Sequence, residues 1–295
     1  MEADGARRMQ RFFVSDVHDA SAPPDDPRAA YCVAWKINPH MQVGSTSLDR
    51  ARVQHDSLVR ALVASGADVR RHPFVRGCFD CVFAKDNAVL ARTARGRRAL
   101  LCRPRHAVRA REQAARAQSL ARHGYHVDRA RHHLEGGDVV RAGGALVLGH
   151  GFRSEPGAAR ELAAWSGLEV LALELVDAHL YHLDTALAAL PDGTVLVCPD
   201  ALAPASLRAL HRWRRARRVI EVARDEALRF GLNLVTIGRR VILSKGAPGV
   251  ERALASLGYE PLSLELDEFH RAGGSAACLV AEEHRFEAAR SSDAA

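Results

Sequence analysis

The chain has 295 residues, of which 47% are apolar, and a formal net charge of +7 from 42 basic and 35 acidic side chains. That apolar fraction is ordinary for a globular protein with a sizeable core, no apolar run is long enough to cross a bilayer, and the charged start MEADGARRMQRFF is unlike a secretory leader, so a soluble, cytoplasmic protein is expected. Lysine occurs only at Lys36, Lys85 and Lys245, and aromatic residues make up 5%; an arginine-rich composition without stacking aromatics argues against nucleic acid as a partner.

In chain order, residues 1–30 form an N-terminal segment that ends in a Pro/Asp/Ala loop, His18 to Ala29, a candidate lid. Residues 31–286 show no linker and are expected to be one catalytic domain; residues 287–295 are a polar tail expected to fray. Asp49 to Ala64 reads as a helix with apolar spacing at Leu48, Val53, Leu58 and Leu62, stopped by Gly66. The same design recurs over Glu112 to Arg122 with Gly124, Ala158 to Trp165 with Gly167, and Val250 to Leu257 with Gly258. Pro204 to Arg215 is a further helix; its basic run from His211 to Arg218 reads as a solvated face. Strand pairs precede four of these helices: Val82–Leu90 with Ala99–Cys102, Asp138–Val140 with Ala145–Leu148, Ala186–Leu190 with Thr194–Val197, and Asn233–Thr236 with Val241–Ser244. The chain therefore reads as five strand–strand–helix–strand units of roughly 40–60 residues, an α/β repeat able to close into a ring.

The six cysteines lack the close, regular spacing of a disulfide scaffold. Cys78-Phe79-Asp80-Cys81 is a lone CxxC without a second ligand pair, so no metal is expected, and it reads as entering a strand. Cys278 stands behind Gly273-Gly274-Ser275, where a sharp turn can present a thiol to a small substrate. Alone, such a cysteine is more often a small buried hydrophobe. Its company changes that: Leu134-Glu135-Gly136-Gly137-Asp138, Tyr181-His182-Leu183-Asp184-Thr185, and Phe79 to Asp86 add a histidine, a carboxylate to orient it, and carboxylates able to hold a cation. Asp86, Glu135, His182, Asn233 and Cys278 fall at corresponding edges of successive units.

From Ile37-Asn38-Pro39-His40-Met41 to Gly273-Gly274-Ser275-Ala276-Ala277-Cys278, these motifs resemble the guanidine-modifying superfamily often called penteins: arginine deiminases, dimethylarginine dimethylaminohydrolases, arginine dihydrolases and amidinotransferases. The resemblance implies a five-bladed α/β propeller around a central active site. It implies Cys278 as nucleophile, His182 as general acid/base and Glu135 as its orienting partner, with no cofactor. Asp86 is similar to the family carboxylate that binds the guanidinium, and Asp80 to a second one in the dimethylarginine branch; Asp138 reads as structural. For the substrate carboxylate, Arg109 fits a family arginine downstream of Arg103-Pro104. Arg153 fits loosely, because the dimethylarginine branch places its arginine where Glu155 stands.

The implied reaction is hydrolysis of a C–N bond in the guanidino group of arginine or a derivative, forming citrulline through a covalent thiouronium. The alternatives are hydrolysis of methylated arginine and amidino transfer to an amine. An aspartate after His-Leu, here Asp184, is usual in deiminases and amidinotransferases, where it grips an unmethylated edge, and it favours an unmethylated guanidine. Asp80 and the short length look like the dimethylarginine branch. A homodimer is a candidate assembly.

Overall fold

The computed structural model describes residues 9–23 and 25–286; the tail expected to fray lies outside them. Its first strand is β1 (Arg11–Ser15), followed by helix α1 (Leu48–Ala64) and β2 (Asp68–His72). Next come β3 (Ala88–Thr93), β4 (Gly96–Leu101), α2 (Ala107–Ala110), α3 (Gln113–Arg122) and β5 (Tyr125–Arg129). Then follow β6 (Val139–Ala142), β7 (Ala145–His150), α4 (Ala158–Ser166) and β8 (Val170–Glu174). The fourth group is α5 (Leu183–Ala186), β9 (Leu187–Ala189), β10 (Thr194–Val197), α6 (Pro204–Arg212) and β11 (Arg218–Glu221). The last groups are α7 (Arg224–Leu228), β12 (Val235–Ile237), β13 (Arg240–Ser244), α8 (Pro248–Ser256) and β14 (Glu260–Leu264), then α9 (Asp267–His270) and β15 (Val280–Arg285).

The result is a mixed α/β fold in which one connection repeats. Antiparallel pairs β3/β4, β6/β7, β9/β10 and β12/β13 each run through a helix into a strand parallel to the second. The remaining unit joins both ends of the chain: β15 lies antiparallel to β1, with Phe13 opposite Ala281, and β1 runs parallel to β2. Contact of β15 with β3, Glu283 opposite Leu90, merges two units into a six-stranded sheet, order β2-β1-β15-β3-β4-β5, beside three three-stranded sheets.

Local chemistry sets the boundaries. Ser47 caps α1 by accepting from the Arg50 N–H, and α4 stops at Gly167 with φ +71°, where a side chain would be strained. Prolines open α6 and α8 at positions whose N–H has no helical partner. Leu58 and Leu62 bury the inner face of α1 fully, each burial stabilising by about 1.5–3 kcal/mol. No helix among the described residues is long and apolar enough to cross a membrane.

Four expectations need correction. The N-terminal segment is not separate, because β1 lies inside residues 1–30 and pairs with both β2 and β15. That pairing spans almost the whole chain, so no local strand pair announces it. The strand expected over Val82–Leu90 begins only at Ala88; Phe79–Val82 and Ala84–Asn87 are short 3-10 turns, and the CxxC therefore lies in a turn with both thiols free and buried. Asp138 and Asn233 likewise precede their strands rather than opening them. Finally, α6 ends at Arg212, where Trp213 leaves the helix and donates its indole N–H to Glu169 at 2.7 Å.

Candidate functional site

Every one of those early turns delivers a polar residue to the same place. Asp86 lies on the turn before β3, Glu135 and Asp138 flank the one before β6, and His182 and Asp184 start α5 ahead of β9. Asn233 precedes β12 and Cys278 precedes β15. A residue read as a strand's first position is thus a turn residue at the strand's inner end.

Glycine makes the approach close enough. A Cβ at Gly137 would lie 2.6 Å from His182 Nδ1 and 2.8 Å from Asp86 Oδ1; one at Gly274 would lie 2.4 Å from the Phe83 ring. The pairs Gly136-Gly137 and Gly273-Gly274 are therefore contact surfaces for the site.

His182 is buried, with Nε2 at 2.9 Å from Glu135 Oε2 and Nδ1 at 3.7 Å from Asp86 Oδ1. Burial alone would lower its pKa, but Asp86, Asp138 and Glu135 outweigh burial and raise it to about 9. Burial pushes Glu135 the other way and is overcome by His182 and Arg153, which hold it well below the usual carboxylate range. Glu135 also accepts from the Arg105 N–H at 2.9 Å and Arg153 Nη1 at 3.1 Å. Asp138 ties the two loops together, accepting from the Leu183 and Ser154 N–H groups, each at 3.1 Å. Burial raises it to about 7.

Cys278 Sγ stands 3.1 Å from Asn233 Nδ2 and 3.7 Å from Asp184 Oδ2. Asn233 Oδ1 accepts from the Cys278 N–H at 3.2 Å, so this one side chain fixes both ends of the cysteine. Burial pushes the thiol well above its ordinary value, and the charges of Asp184 and Asp86 push it further. Asp184 is itself raised to about 6, by burial, against the opposing charges of Lys85 and His182. These surroundings thus favour the neutral thiol and the charged imidazole.

Arg109 and Arg153 line the cavity in front of Cys278, but much of their hydrogen bonding is internal. Arg109 donates to Glu112 at 2.6 Å, Asp86 at 3.0 Å and the Phe83 carbonyl at 3.5 Å; Arg153 donates to Glu135 and to the Ile37 carbonyl at 2.9 Å, and its guanidinium lies over the Tyr181 ring. Each keeps N–H groups beyond these, since a guanidinium carries five donors. Asp80 is buried; Oδ2 accepts from Trp35 Nε1 at 2.6 Å, and Oδ1 has no partner although the residue lines the cavity.

Asp86, Glu135 and His182 each offer an atom within 4.8 Å of the others, close enough to share an ion. Arg109 and Arg153 already hold these carboxylates with fixed positive charge, so the set does not suit a divalent cation. We assign no metal to it.

Sequence reasoning missed several members of the site. Trp35, Ser154 and Tyr181 each hold a site residue or wall, and only their neighbourhood to the motifs hints at it. Asn38, in the segment where the resemblance begins, donates to the Ala272 carbonyl at 3.0 Å and pins the glycine turn before Cys278.

Residues 38–285 match the family described as N,N dimethylarginine dimethylhydrolase, eukaryotic. The chain is 35% identical to N(G),N(G)-dimethylarginine dimethylaminohydrolase of Mycobacterium tuberculosis, over 94% of this chain and 95% of that protein. It is 32% identical to the bifunctional arginine dihydrolase/ornithine cyclodeaminase AgrE of Nostoc, over 91% of this chain but only 38% of that longer protein. Among solved structures, the N-terminal domain of the cyanobacterial arginine dihydrolase ArgZ with bound product superposes with a TM-score of 0.83 at 28% identity, covering 94% of this chain and 98% of that one. A family match over most of the chain, across the segments that build this site, means that the chain belongs to the N,N-dimethylarginine dimethylhydrolase family of the pentein superfamily, a family of cysteine-dependent hydrolases of guanidino C–N bonds.

Proposed function

We propose that the protein hydrolyses the unmethylated guanidino group of arginine or a close derivative. The observation that carries this reading is the position of Asp184: a buried carboxylate 3.7 Å from the thiol. Asp86 and Asp184 then face a planar cation from two edges, and each edge must present N–H groups to satisfy them. The five repeated units are read as a five-bladed propeller, supported by one site residue or pair from each inner turn.

A guanidinium carbon is a poor electrophile, so positioning is the first requirement. The two carboxylates aim the carbon at Cys278 Sγ. The arriving cation offsets the negative field of Asp184 and Asp86 and favours the thiolate, the thiol proton passing to solvent as the substrate binds. Sulfur attacks, and the tetrahedral adduct expels ammonia as the leaving nitrogen takes the proton of His182. A thiouronium remains on Cys278. His182, now neutral and oriented by Glu135, takes a proton from water; hydroxide adds, the C–S bond breaks to restore the thiolate, and the ureido product leaves as the hydroxyl proton passes to solvent. Arg109 and Arg153 are assigned to the substrate carboxylate through their remaining N–H groups. The cavity in front of Cys278 is only ≈ 10 Å³, about one water, so its wall must open for the substrate.

Methylated arginine is the second reading, favoured by the family match and by the unpartnered Asp80 oxygen. The test is kcat/KM for arginine and for asymmetric dimethylarginine in wild type and Asp184→Asn. A dimethylated nitrogen has no N–H for one carboxylate, and leaving a buried charge unpaired costs about 3 kcal/mol or more, about a hundredfold in rate. Wild type should prefer arginine, and the substitution should erode that preference. A wild type that prefers dimethylarginine, or equal losses on both substrates, assigns the protein to methylated substrates.

A further inference from the structure

His182 is held through both of its neighbours in sequence. The Leu183 N–H donates to Asp138 at 3.1 Å, which fixes the residue after it to the turn before β6. The residue before it, Tyr181, reaches elsewhere. Its hydroxyl donates to the Gly273 carbonyl at 2.7 Å and accepts from Asn38 Nδ2 at 3.3 Å. Gly273 belongs to the turn that leads into Cys278; its φ is +87°, and a Cβ there would lie 2.7 Å from the Asn38 side chain. Apart from the thiol's own contact with Asp184, the Tyr181 hydroxyl makes the direct hydrogen bond between the His182 segment and the nucleophile's turn among the described residues. The ring has a second set of contacts. Its centroid is 4.7 Å from that of His182, and the Arg153 guanidinium carbon lies 4.6 Å away over its face. Tyr181 is buried and lines the cavity in front of Cys278. Burial pushes its pKa well above the ordinary phenol value, so the hydroxyl keeps its proton to donate.

We propose that Tyr181 is a positioning residue for guanidino hydrolysis: its hydroxyl fixes His182 against the turn that carries Cys278, and its ring seats Arg153 for the substrate carboxylate. The proposal rests on the reading of Cys278 as nucleophile, His182 as acid/base and Arg153 as carboxylate ligand. The Gly273 carbonyl is buried and has no other donor among the described residues. Removing the hydroxyl leaves that oxygen without its partner, and an unpaired buried carbonyl drives the turn to shift toward another donor. Asn38 also holds the turn, through the Ala272 carbonyl at 3.0 Å, but from outside the His182 segment, so it cannot fix one against the other. Sulfur must meet the guanidinium carbon while His182 reaches the leaving nitrogen, and misplacement of either by a fraction of an ångström is felt in the chemical step. Arg153 needs the ring instead. Glu135 holds its Nη1 and the Ile37 carbonyl its Nη2, while the ring face beneath sets the plane of the guanidinium. Hydroxyl and ring thus serve different partners and can be removed separately.

The experiment measures kcat and KM across the pH range for wild type, Tyr181→Phe, Tyr181→Leu and Cys278→Ser, with whichever of arginine and asymmetric dimethylarginine wild type turns over faster. Tyr181→Phe keeps the ring and loses the tie: kcat should fall about tenfold while KM stays within about twofold. The limbs of its pH profile should stay in place, because no charge around His182 has changed. Tyr181→Leu loses both links, so kcat should fall by a similar factor and KM should rise about tenfold. Should Tyr181→Phe fail to fold, Tyr181→Met, likewise without a hydroxyl, supplies the kcat comparison. A wild-type kcat in the phenylalanine variant overturns the role of the hydroxyl. Limbs that move overturn it too, since Tyr181 would then act on the charge of His182 and not on its place. A KM in Tyr181→Leu equal to that of Tyr181→Phe overturns the role of the ring. If Cys278→Ser keeps wild-type turnover, the catalytic reading itself fails and this inference falls with it; if it is inactive, the tyrosine variants alone decide.

Discussion

Replacing Glu135 by glutamine tests how the site sets the acid strength of His182. The wild-type carboxylate is completely buried and shares Oε2 between His182 and Arg153, while Oε1 takes the Arg105 N–H. Glutamine keeps the shape but loses the charge, and it must turn an NH2 toward one of these donors. A hydrogen bond to a charged group contributes about 1.5–3 kcal/mol against about 0.5–1.5 for a neutral one. The difference, about 1.5 kcal/mol, corresponds to about one pKa unit. His182, at about 9 in the wild type, should therefore titrate about one unit lower in the variant. The protonated histidine serves as acid for the leaving nitrogen, so the alkaline limb of the kcat profile should move down by the same amount, with a loss of about tenfold at neutral pH from poorer orientation. Ureido product measured across the profile, with NMR titration of the His182 imidazole, reads both effects. Stability follows the same sign. A raised histidine stabilises the fold fully below its unfolded value near 6.5 and loses that contribution as pH rises through about 9; the variant should narrow this window. An alkaline limb that stays in place, or moves up, would refute the argument that Glu135 sustains the charge on His182.

Two further substitutions probe the proposed nucleophile and its packing. Cys278→Ser should abolish turnover with the fold intact, because the hydroxyl is a far weaker nucleophile, and acid quench of the wild type with substrate should leave a mass adduct on the peptide containing Cys278; wild-type rates in the serine variant would remove the assignment. Gly137→Ala should reduce kcat/KM by about a hundredfold and stability by about 1–3 kcal/mol, since its methyl carbon would need space held by His182 and Asp86; kinetics and denaturant unfolding near the wild-type values would show that the turn can relax.

Much of this protein is legible in its sequence because it is local chemistry repeated. Apolar spacing such as Leu58 and Leu62, and glycine stops such as Gly66 and Gly167, mark the helices wherever they occur. The motifs around Glu135, His182 and Cys278 mark which turns carry reactive groups, since few other purposes place these residue types behind paired glycines or ahead of a strand. What the sequence could not decide is everything that depends on distant partners. The pairing of β1 with β15 joins residues more than two hundred positions apart, and no local pattern encodes it. The early turns at Asp86, Asp138 and Asn233 read as strand residues in sequence, and become turns because their side chains are satisfied by groups distant along the chain: Gly137 and Arg109, Leu183 and Ser154, Cys278. Arg109 and Arg153 are two arginines among many in composition; only folding brings them against Asp86 and Glu135. Charge acts through space rather than along the chain, so the state of His182, Asp184 and the thiol was fixed only when burial removed water and set these groups within a few ångströms of one another.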